Sequence, residues 1–274
     1  MSRSVFLDRE VEAAGPVTAG DTVELAPGVA RHLAVTRIRV GEEFDLVDGA
    51  GLRLRAVLAD AGAGAAAGTR VRVRSVVREE RTGPELVLVQ ALAKGERDAQ
   101  AIEAATEIGV DRVIPWQAAR SIAQWPAKKE QKAHARWRSL LEAATQQSRR
   151  SRAPELEQLA RGRGIAARLR EDDLVLVLHE EAREHLADLL AGMPADAGAQ
   201  ARAHPRIVLV VGPEGGISGE EIEAFAAAGA RPVLLGPTVL RASSAGPAGL
   251  VLVQAALGRW AARGESPRPA EQID

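Results

Sequence analysis

The sequence contains no cysteine and no tyrosine. The first absence excludes disulfide scaffolds, thiolate metal centres and cysteine nucleophiles, and it matches a reducing compartment. Aromatics are scarce, three Phe and four Trp in 274 residues, so a surface that stacks one nucleobase after another on aromatic rings is not expected. Any nucleic acid would be held by charge and shape. No apolar run approaches the roughly 18 residues of a spanning helix. The opening MSRSVFLDREVEAAG has only residues 5–7 as an apolar run before charges resume, which does not fit a secretory leader. An excess of either charge is also lacking: 36 Lys and Arg stand against 37 Asp and Glu, a formal net charge of -1, which excludes a globally basic coat. What is present is apolar bulk. At 46% hydrophobic residues and 28.9 kDa the chain can bury one large core or two modest ones, and it reads as a soluble cytoplasmic protein.

Residues 1–80 alternate with a period of two, the pattern of strands with one buried face. Leu52, Leu54, Ala56 and Leu58 alternate with Arg53 and Arg55, and Val71, Val73, Ser75 and Val77 with Arg70, Arg72 and Arg74. Asp48-Gly-Ala-Gly and the Ala/Gly stretch 61–68 read as turns, and residues 28–40 as a short helix inserted among the strands. The arginine rows are either the solvated face that any half-buried sheet needs or a face that touches RNA. From about residue 85 strands alternate with helices, an α/β layer architecture. Strands are expected over 86–92, 113–114, 174–178, 207–211 and 232–235, with Pro115 ending the second. Helices are expected over 97–108, 128–147, 219–228 and 247–261. Ser218-Gly-Glu-Glu221 is a capping-box pattern at a helix start, and the tail from Gly264 is expected to fray.

Charge is uneven along this map. Between Arg120 and Arg170 there are thirteen Lys or Arg against four Glu, a surplus of nine. This basic middle is either a polyanion-binding feature or a solvated helix face followed by a basic loop. Metal-dependent hydrolysis is disfavoured, because His32, His134, His179, His185 and His204 form no H-E-x-x-H. No G-x-S-x-G occurs either. The most informative stretch is 207–221, a buried strand running into Val-Gly-Pro-Glu-Gly-Gly and then the capped helix. Ligands of open α/β sheets sit at such carboxyl ends. The loop lacks the Gly-Lys-Ser/Thr of a P-loop and the spacing of a dinucleotide fingerprint. Its glycines either let backbone approach a flat ligand or satisfy turn geometry. A second unit, Leu235-Gly-Pro-Thr-Val-Leu-Arg241, follows, and the 174–178 strand ends at His179-Glu180. Three strand ends aimed at one another would make one backbone-lined pocket.

These two units, with Ala91-Leu-Ala-Lys-Gly-Glu-Arg97, Ala105-Thr-Glu-Ile-Gly-Val-Asp111 and Gln147-Ser-Arg-Arg-Ser-Arg-Ala-Pro154, make the sequence resemble the RsmE family of SPOUT-class ribosomal RNA methyltransferases. The resemblance covers most of the chain. It implies a PUA-like β-rich RNA-binding domain over 1–80 and an α/β methyltransferase domain over 81–264. It also implies a trefoil knot over approximately 207–262, a free tail over 265–274, and a homodimer with no metal and no membrane partner. The implied reaction moves a methyl group from S-adenosyl-L-methionine to N3 of a uridine in 16S ribosomal RNA of the small subunit. An RNA-binding module without turnover, or a related enzyme acting on transfer RNA, is the alternative. Cofactor contacts are implied for Leu178, His179, Gly212, Pro213, Gly215, Leu235, Gly236, Leu240, Arg241 and Ser243. RNA contacts are implied for Lys94, Arg97, Arg149, Arg150 and Arg152.

One departure stands out: where many members read Leu-Arg-Thr-Glu-Thr-Ala, this chain reads Leu240-Arg-Ala-Ser-Ser-Ala245, so that carboxylate cannot serve as a base here. Uridine N3 is a poor nucleophile until its imide proton leaves. A fixed cation beside the ring oxygens would stabilise the anion, which singles out Arg241 as the catalytic group. Ser243 and Ser244 either orient the base or cap the last helix. Glu214 and His179 are nearby acid/base groups without an assigned role. The absence of cysteine excludes a thiolate adduct on the base, consistent with direct transfer to a ring nitrogen.

Overall fold

The computed structural model describes residues 3–60, 68–193 and 203–260. The Ala/Gly turn expected over 61–68 falls almost wholly outside these residues, as do the expected tail 265–274 and the last two residues of the expected knot. The first sheet is built from β1 (Val5–Leu7), β2 (Thr22–Glu24), β3 (Glu43–Val47), β4 (Leu52–Asp60) and β5 (Arg70–Arg78), in the order β1-β3-β4-β5-β2. Only β1 and β3 run parallel; the other pairings are antiparallel. Alternation dictates the core: Leu52, Leu54, Ala56 and Leu58 of β4 pack with Val71 and Val73 of β5 and with Phe6 and Phe44. Helix α1 (Pro27–Val35) closes this core with Val29, Ala30 and Leu33. It is shorter than the expected 28–40. Arg37 turns left-handed (φ 58°) and donates its amide to Ala34, while Ile38 donates to Leu33, a Schellman-type stop.

The second sheet follows: β6 (Glu85–Ala91), α2 (Arg97–Ile108), β7 (Arg112–Gln117), α3 (Ala127–Gln147), β8 (Glu155–Leu156), β9 (Ala160–Arg161), a 3-10 helix (Gly162–Arg168), β10 (Leu174–Leu178), α4 (Leu186–Ala191), β11 (Arg206–Val211), α5 (Gly219–Ala227), β12 (Arg231–Val233) and α6 (Ala242–Ala256). The strand order is β12-β10-β11-β6-β7-β8, with β9 also on β7, and every pairing is parallel. A parallel sheet is covered on both faces, so its strands read as unbroken apolar runs. Leu86, Leu88, Leu176 and Leu209 face one core with Trp137 and Leu141, and Val87, Val89, Val208 and Val210 face another with Trp116 and Phe225. Each fully buried side chain of this size contributes roughly 1.5–3 kcal/mol.

Two expectations are corrected here. Strand β7 continues through Pro115 to Gln117, because β8 pairs with residues 112–113 and β9 with 116–117. Pro115 falls in the gap between them, where its missing N–H has no ladder partner to disappoint. Helix α6 begins at Ala242 rather than 247 and carries Pro247 inside it. Burial of Ala242 and Ala245 against the sheet core holds the first turn although the Ser243 carbonyl loses its i+4 donor. From edge strand β12 the chain doubles back as α6 over β11, β6 and α2. Gly246 and Gly249 permit this approach, since a Cβ there would lie 3.0 Å from Leu88 Cδ1 and 3.2 Å from Leu209 Cδ1.

The two sheets are tied through residues 148–153. Gly51 donates to the Ser151 carbonyl and Ala153 to the Gly49 carbonyl. The Ser151 hydroxyl donates to Glu79 at 2.6 Å.

Candidate active site

Strands β10, β11 and β12 are parallel neighbours and end at one edge of the sheet, so the loops that follow them converge. They enclose a cavity of about 410 Å³, within the range of small-molecule sites. The end of β10 contributes Leu178 and His179, and the loop after β11 contributes Gly212 and Pro213. The loop after β12 contributes Leu235, Gly236, Leu240 and Arg241. Glu180, Glu214 and Ile217 also line it.

Two of the expected cofactor contacts do not line it. Gly215 lies against the β7–α3 connection, where a Cβ would meet the Arg120 carbonyl at 2.9 Å. At Gly212 a Cβ would sit 2.7 Å from Ile217 Cγ1. Both positions are therefore held to glycine by the protein's own packing. Ser243 is the second residue of α6, partly buried and outside the lining. Nor does Ser243 or Ser244 cap the helix: the capping position is Arg241, with no side-chain cap bond.

Arg241 is exposed at the cavity wall. Its carbonyl accepts from the Ser244 and Ala245 amides at 2.8 and 3.0 Å, which fixes its backbone. Among the described residues no carboxylate lies within salt-bridge distance of its guanidinium. His179 donates its amide to the Val233 carbonyl at 3.1 Å, and its Nδ1 accepts from the Glu181 amide at 3.2 Å, which places the ring proton of the neutral form on Nε2.

The glycine-rich loop is braced from two sides. Glu214 accepts from Arg97 at 2.9 Å, linking it to the first turn of α2. Glu221, 1% exposed, completes the capping box with Ser218 and accepts from the Ala119 amide at 2.7 Å. Lys94 is exposed on the β6–α2 turn. Beneath it, burial pushes the Asp98 carboxyl above its ordinary range while the Ala93 and Ala99 amides pull it back. Sequence reasoning missed Asp98, which braces the β6–α2 turn, and Arg120, which packs against the glycine-rich loop. A carboxylate in the first turn after Lys-Gly-Glu-Arg was the available signal for the former.

Two arginines of the basic loop are engaged within the protein. Arg150 turns inward, donating to the Thr106 carbonyl at 2.7 Å with Asp111 4.0 Å away. Burial pushes its pKa down and Asp111 raises it. Arg152 donates to the Glu79 carbonyl at 2.6 Å. The Arg149 carbonyl accepts from Arg53 at 2.9 Å. Arg150 therefore anchors the joining segment to α2, and Arg152 ties it to the end of the first sheet. Among the described residues no group of three or more His, Asp or Glu could hold a metal ion, and no helix is long and apolar enough to cross a membrane.

A family model described as an RNA methyltransferase domain matches residues 80–254. The ribosomal RNA small subunit methyltransferase E of Mycobacterium bovis is 43% identical over 230 residues, which are 82% of this chain and 83% of that protein; its Mycobacterium tuberculosis counterpart matches equally. Among solved structures, a Legionella pneumophila protein described as a methyltransferase in complex with the bound cofactor SAM is 26% identical. Its TM-score is 0.75, covering 93% of this chain and 98% of that one. The Neisseria gonorrhoeae ribosomal RNA small subunit methyltransferase E, 24% identical with a TM-score of 0.77 and the same coverages, shares the fold. With a family model spanning more than half of it and relatives this similar over four fifths of its length, the chain belongs to the RsmE family of RNA methyltransferases.

Proposed function

We propose that this protein transfers a methyl group from S-adenosyl-L-methionine to N3 of a uridine in 16S ribosomal RNA of the small subunit, acting in the cytoplasm as a homodimer. The observation that carries the reading is the cavity at the ends of β10, β11 and β12 with Arg241 exposed at its wall and, among the described residues, without an ion-pair partner. The wall fits the cofactor's chemistry. It combines apolar side chains, Leu178, Leu235 and Leu240, with bare main chain at Gly212 and Gly236; at Gly236 no atom lies within 4 Å of where a Cβ would stand. Such a slot suits a flat purine and a compact cation, and the absence of a Gly-Lys-Ser/Thr loop matches a ligand without phosphates. When bound, the cofactor supplies an electrophilic methyl group on a sulfonium sulfur.

The residues of the chain act on the acceptor. Uridine must lose its N3 proton before N3 can accept a carbon, and the resulting negative charge spreads over the flanking carbonyl oxygens. Arg241 supplies a fixed positive charge where that anion develops. Glu214 is engaged by Arg97 and His179 Nδ1 by a backbone amide, so the site favours the anion through Arg241 and releases the proton to solvent. Lys94, on the β6–α2 turn, and Arg97, at the start of α2 and bonded to Glu214 of the cavity wall, are assigned to the RNA backbone. Val239 and Leu240, 76% and 39% exposed at the cavity, supply an apolar surface for the second protomer, and the doubling back of the chain from β11 to α6 supports the trefoil knot expected over approximately 207–262.

The test uses the purified protein, methyl-labelled S-adenosylmethionine, and either small subunits or free 16S ribosomal RNA from a strain lacking the gene. N3-methyluridine in the digested RNA is the expected product by mass spectrometry. Label at another atom, or none on either substrate, overturns the assignment.

A further inference from the structure

Two cations approach the cavity from opposite faces of the second sheet. Arg241 stands at the start of α6, which packs on the face that carries Leu88 and Leu209. The β7–α3 connection comes from the other face. Glu221 of α5 pins its Ala119 amide, and Phe225 of the same helix meets Trp116 with ring centroids 5.4 Å apart. Arg120, the next residue of the connection, is thereby laid against the glycine-rich loop. Its Nη1 donates to the Gly215 carbonyl at 3.4 Å and lies 3.7 Å from where a Gly216 Cβ would stand. Gly216 itself lines the cavity, so the guanidinium sits beside the cavity without forming part of its wall.

Arg120 is exposed, and among the described residues no carboxylate lies within salt-bridge distance of it. The acidic groups of the neighbourhood have other engagements. Glu214, two residues from Gly216, is held by Arg97, and Glu221 accepts from the Ser218 and Ala119 amides. Glu180, the other carboxylate of the wall, stands at the end of β10, beyond β11 from the side on which Arg120 approaches. Like Arg241, Arg120 thus joins a fixed backbone to an exposed charge.

The acceptor chemistry asks for two such groups. Once N3 of a uracil ring has lost its proton, the negative charge is shared by O2 and O4, the carbonyl oxygens that diverge on either side of it. One guanidinium can approach only one of them closely. The edge between them must stay clear, because N3 has to receive the carbon. Cations arriving from two directions meet both demands, and cations fixed in advance need no reorganisation as the charge develops.

We infer that Arg120 is a second catalytic cation, which with Arg241 clamps the uracil anion, one guanidinium at each carbonyl oxygen. The N3 proton leaves to solvent, the ring keeps the charge, and neither guanidinium gains or loses a proton. This rests on the methyltransferase reading above. The test compares the full-length wild type with Arg120→Gln and with the charge-keeping Arg120→Lys, following kcat and KM for RNA methylation from neutral to alkaline pH. Arg120→Gln is expected to lose about 10²-fold in kcat near neutrality, with the KM for RNA, the S-adenosylmethionine Kd by calorimetry and the Tm unchanged. The loss should shrink as pH rises, since an alkaline solution withdraws the proton that the missing cation no longer helps to release. Arg120→Lys should recover most of it. A loss confined to KM, with a shallower dependence on salt, marks a phosphate contact. A raised S-adenosylmethionine Kd marks a cofactor contact, and a loss of one size at every pH marks a structural role. Each of these overturns the clamp, as does wild-type turnover in Arg120→Gln. If the wild type itself places no methyl on uridine N3, the methyltransferase reading falls and the clamp with it.

Discussion

Arg241 serves two purposes in one position. Its carbonyl receives the first amides of α6, and its side chain stands at the cavity wall, where among the described residues no carboxylate lies within salt-bridge distance. Replacing it by Ala leaves the backbone contacts intact, so the fold should survive while the anion loses its partner. Arg241→Ala is expected to lower kcat by about 10²–10³, the usual effect of deleting one such electrostatic contact, with little change in Tm or in cofactor affinity. A variant that retains wild-type kcat removes Arg241 from the mechanism. Its place at the cavity wall was legible from the Leu-Gly-Pro-Thr-Val-Leu-Arg unit that ends at it. Arg150 and Arg152 were not, because a charge count records how many cations a segment holds and not which way they face. Their inward turn depends on acceptors from remote parts of the chain, Thr106 and Glu79, which no local pattern announces.

Helix α5 shows an element whose sequence signal and whose tertiary duty coincide. The capping box saturates its first turn, and the same Glu221 reaches the Ala119 amide, pinning the connection that carries Arg120 against Gly215. Glu221→Ala should therefore cost about 1–3 kcal/mol, a lost cap together with a buried amide left unpaired, read as a lower urea midpoint. Because the cavity wall moves with that loop, the S-adenosylmethionine Kd should rise as well. A stability loss without any change in cofactor affinity would sever the loop from the site. Elements with one strong signal were readable: the Leu-Val-Leu-Val-Leu run of β10 occupies Leu174–Leu178 as expected. Strands β1 and β2, three residues each, are too short to display a period, and α4 went unread for the same reason. The starts of α6 and the end of β7 escaped because both turn on a proline whose local meaning is overruled, in one case by core burial and in the other by a gap in the neighbouring strands.

At the scale of the whole molecule the junction between the sheets contributes a pH dependence of its own. Burial tends to raise the Glu79 carboxyl, but the Ser151 hydroxyl and the Arg53 guanidinium outweigh it and hold its pKa below the usual carboxylate value. A carboxylate lowered in the folded state stabilises it above the unfolded pKa of about 4.3, and that stability is lost as pH falls through the folded value. The Tm difference between wild type and Glu79→Gln should thus be largest near neutrality and close below pH 4. A difference that persists unchanged at pH 3 would show that the carboxylate's charge plays no part in the junction. The neutral composition, read at this scale, divides into cations that join the halves and cations that face outward, such as Lys128, Lys129 and Lys132 on α3.

The parallel sheet has one more consequence, for the order in which the chain can fold. Strand β6 lies at the centre, yet its partner on one side is β11, with Leu86 paired to Ile207. Every residue between them must be in place before that edge is covered. Contacts so distant in sequence make for slow folding, and until they form, the Leu-Val-Leu-Val face of β6 is an open strand edge of the kind that invites aggregation. During synthesis the half of the protein that is made first therefore waits, unfinished and adhesive, for the half that is made last.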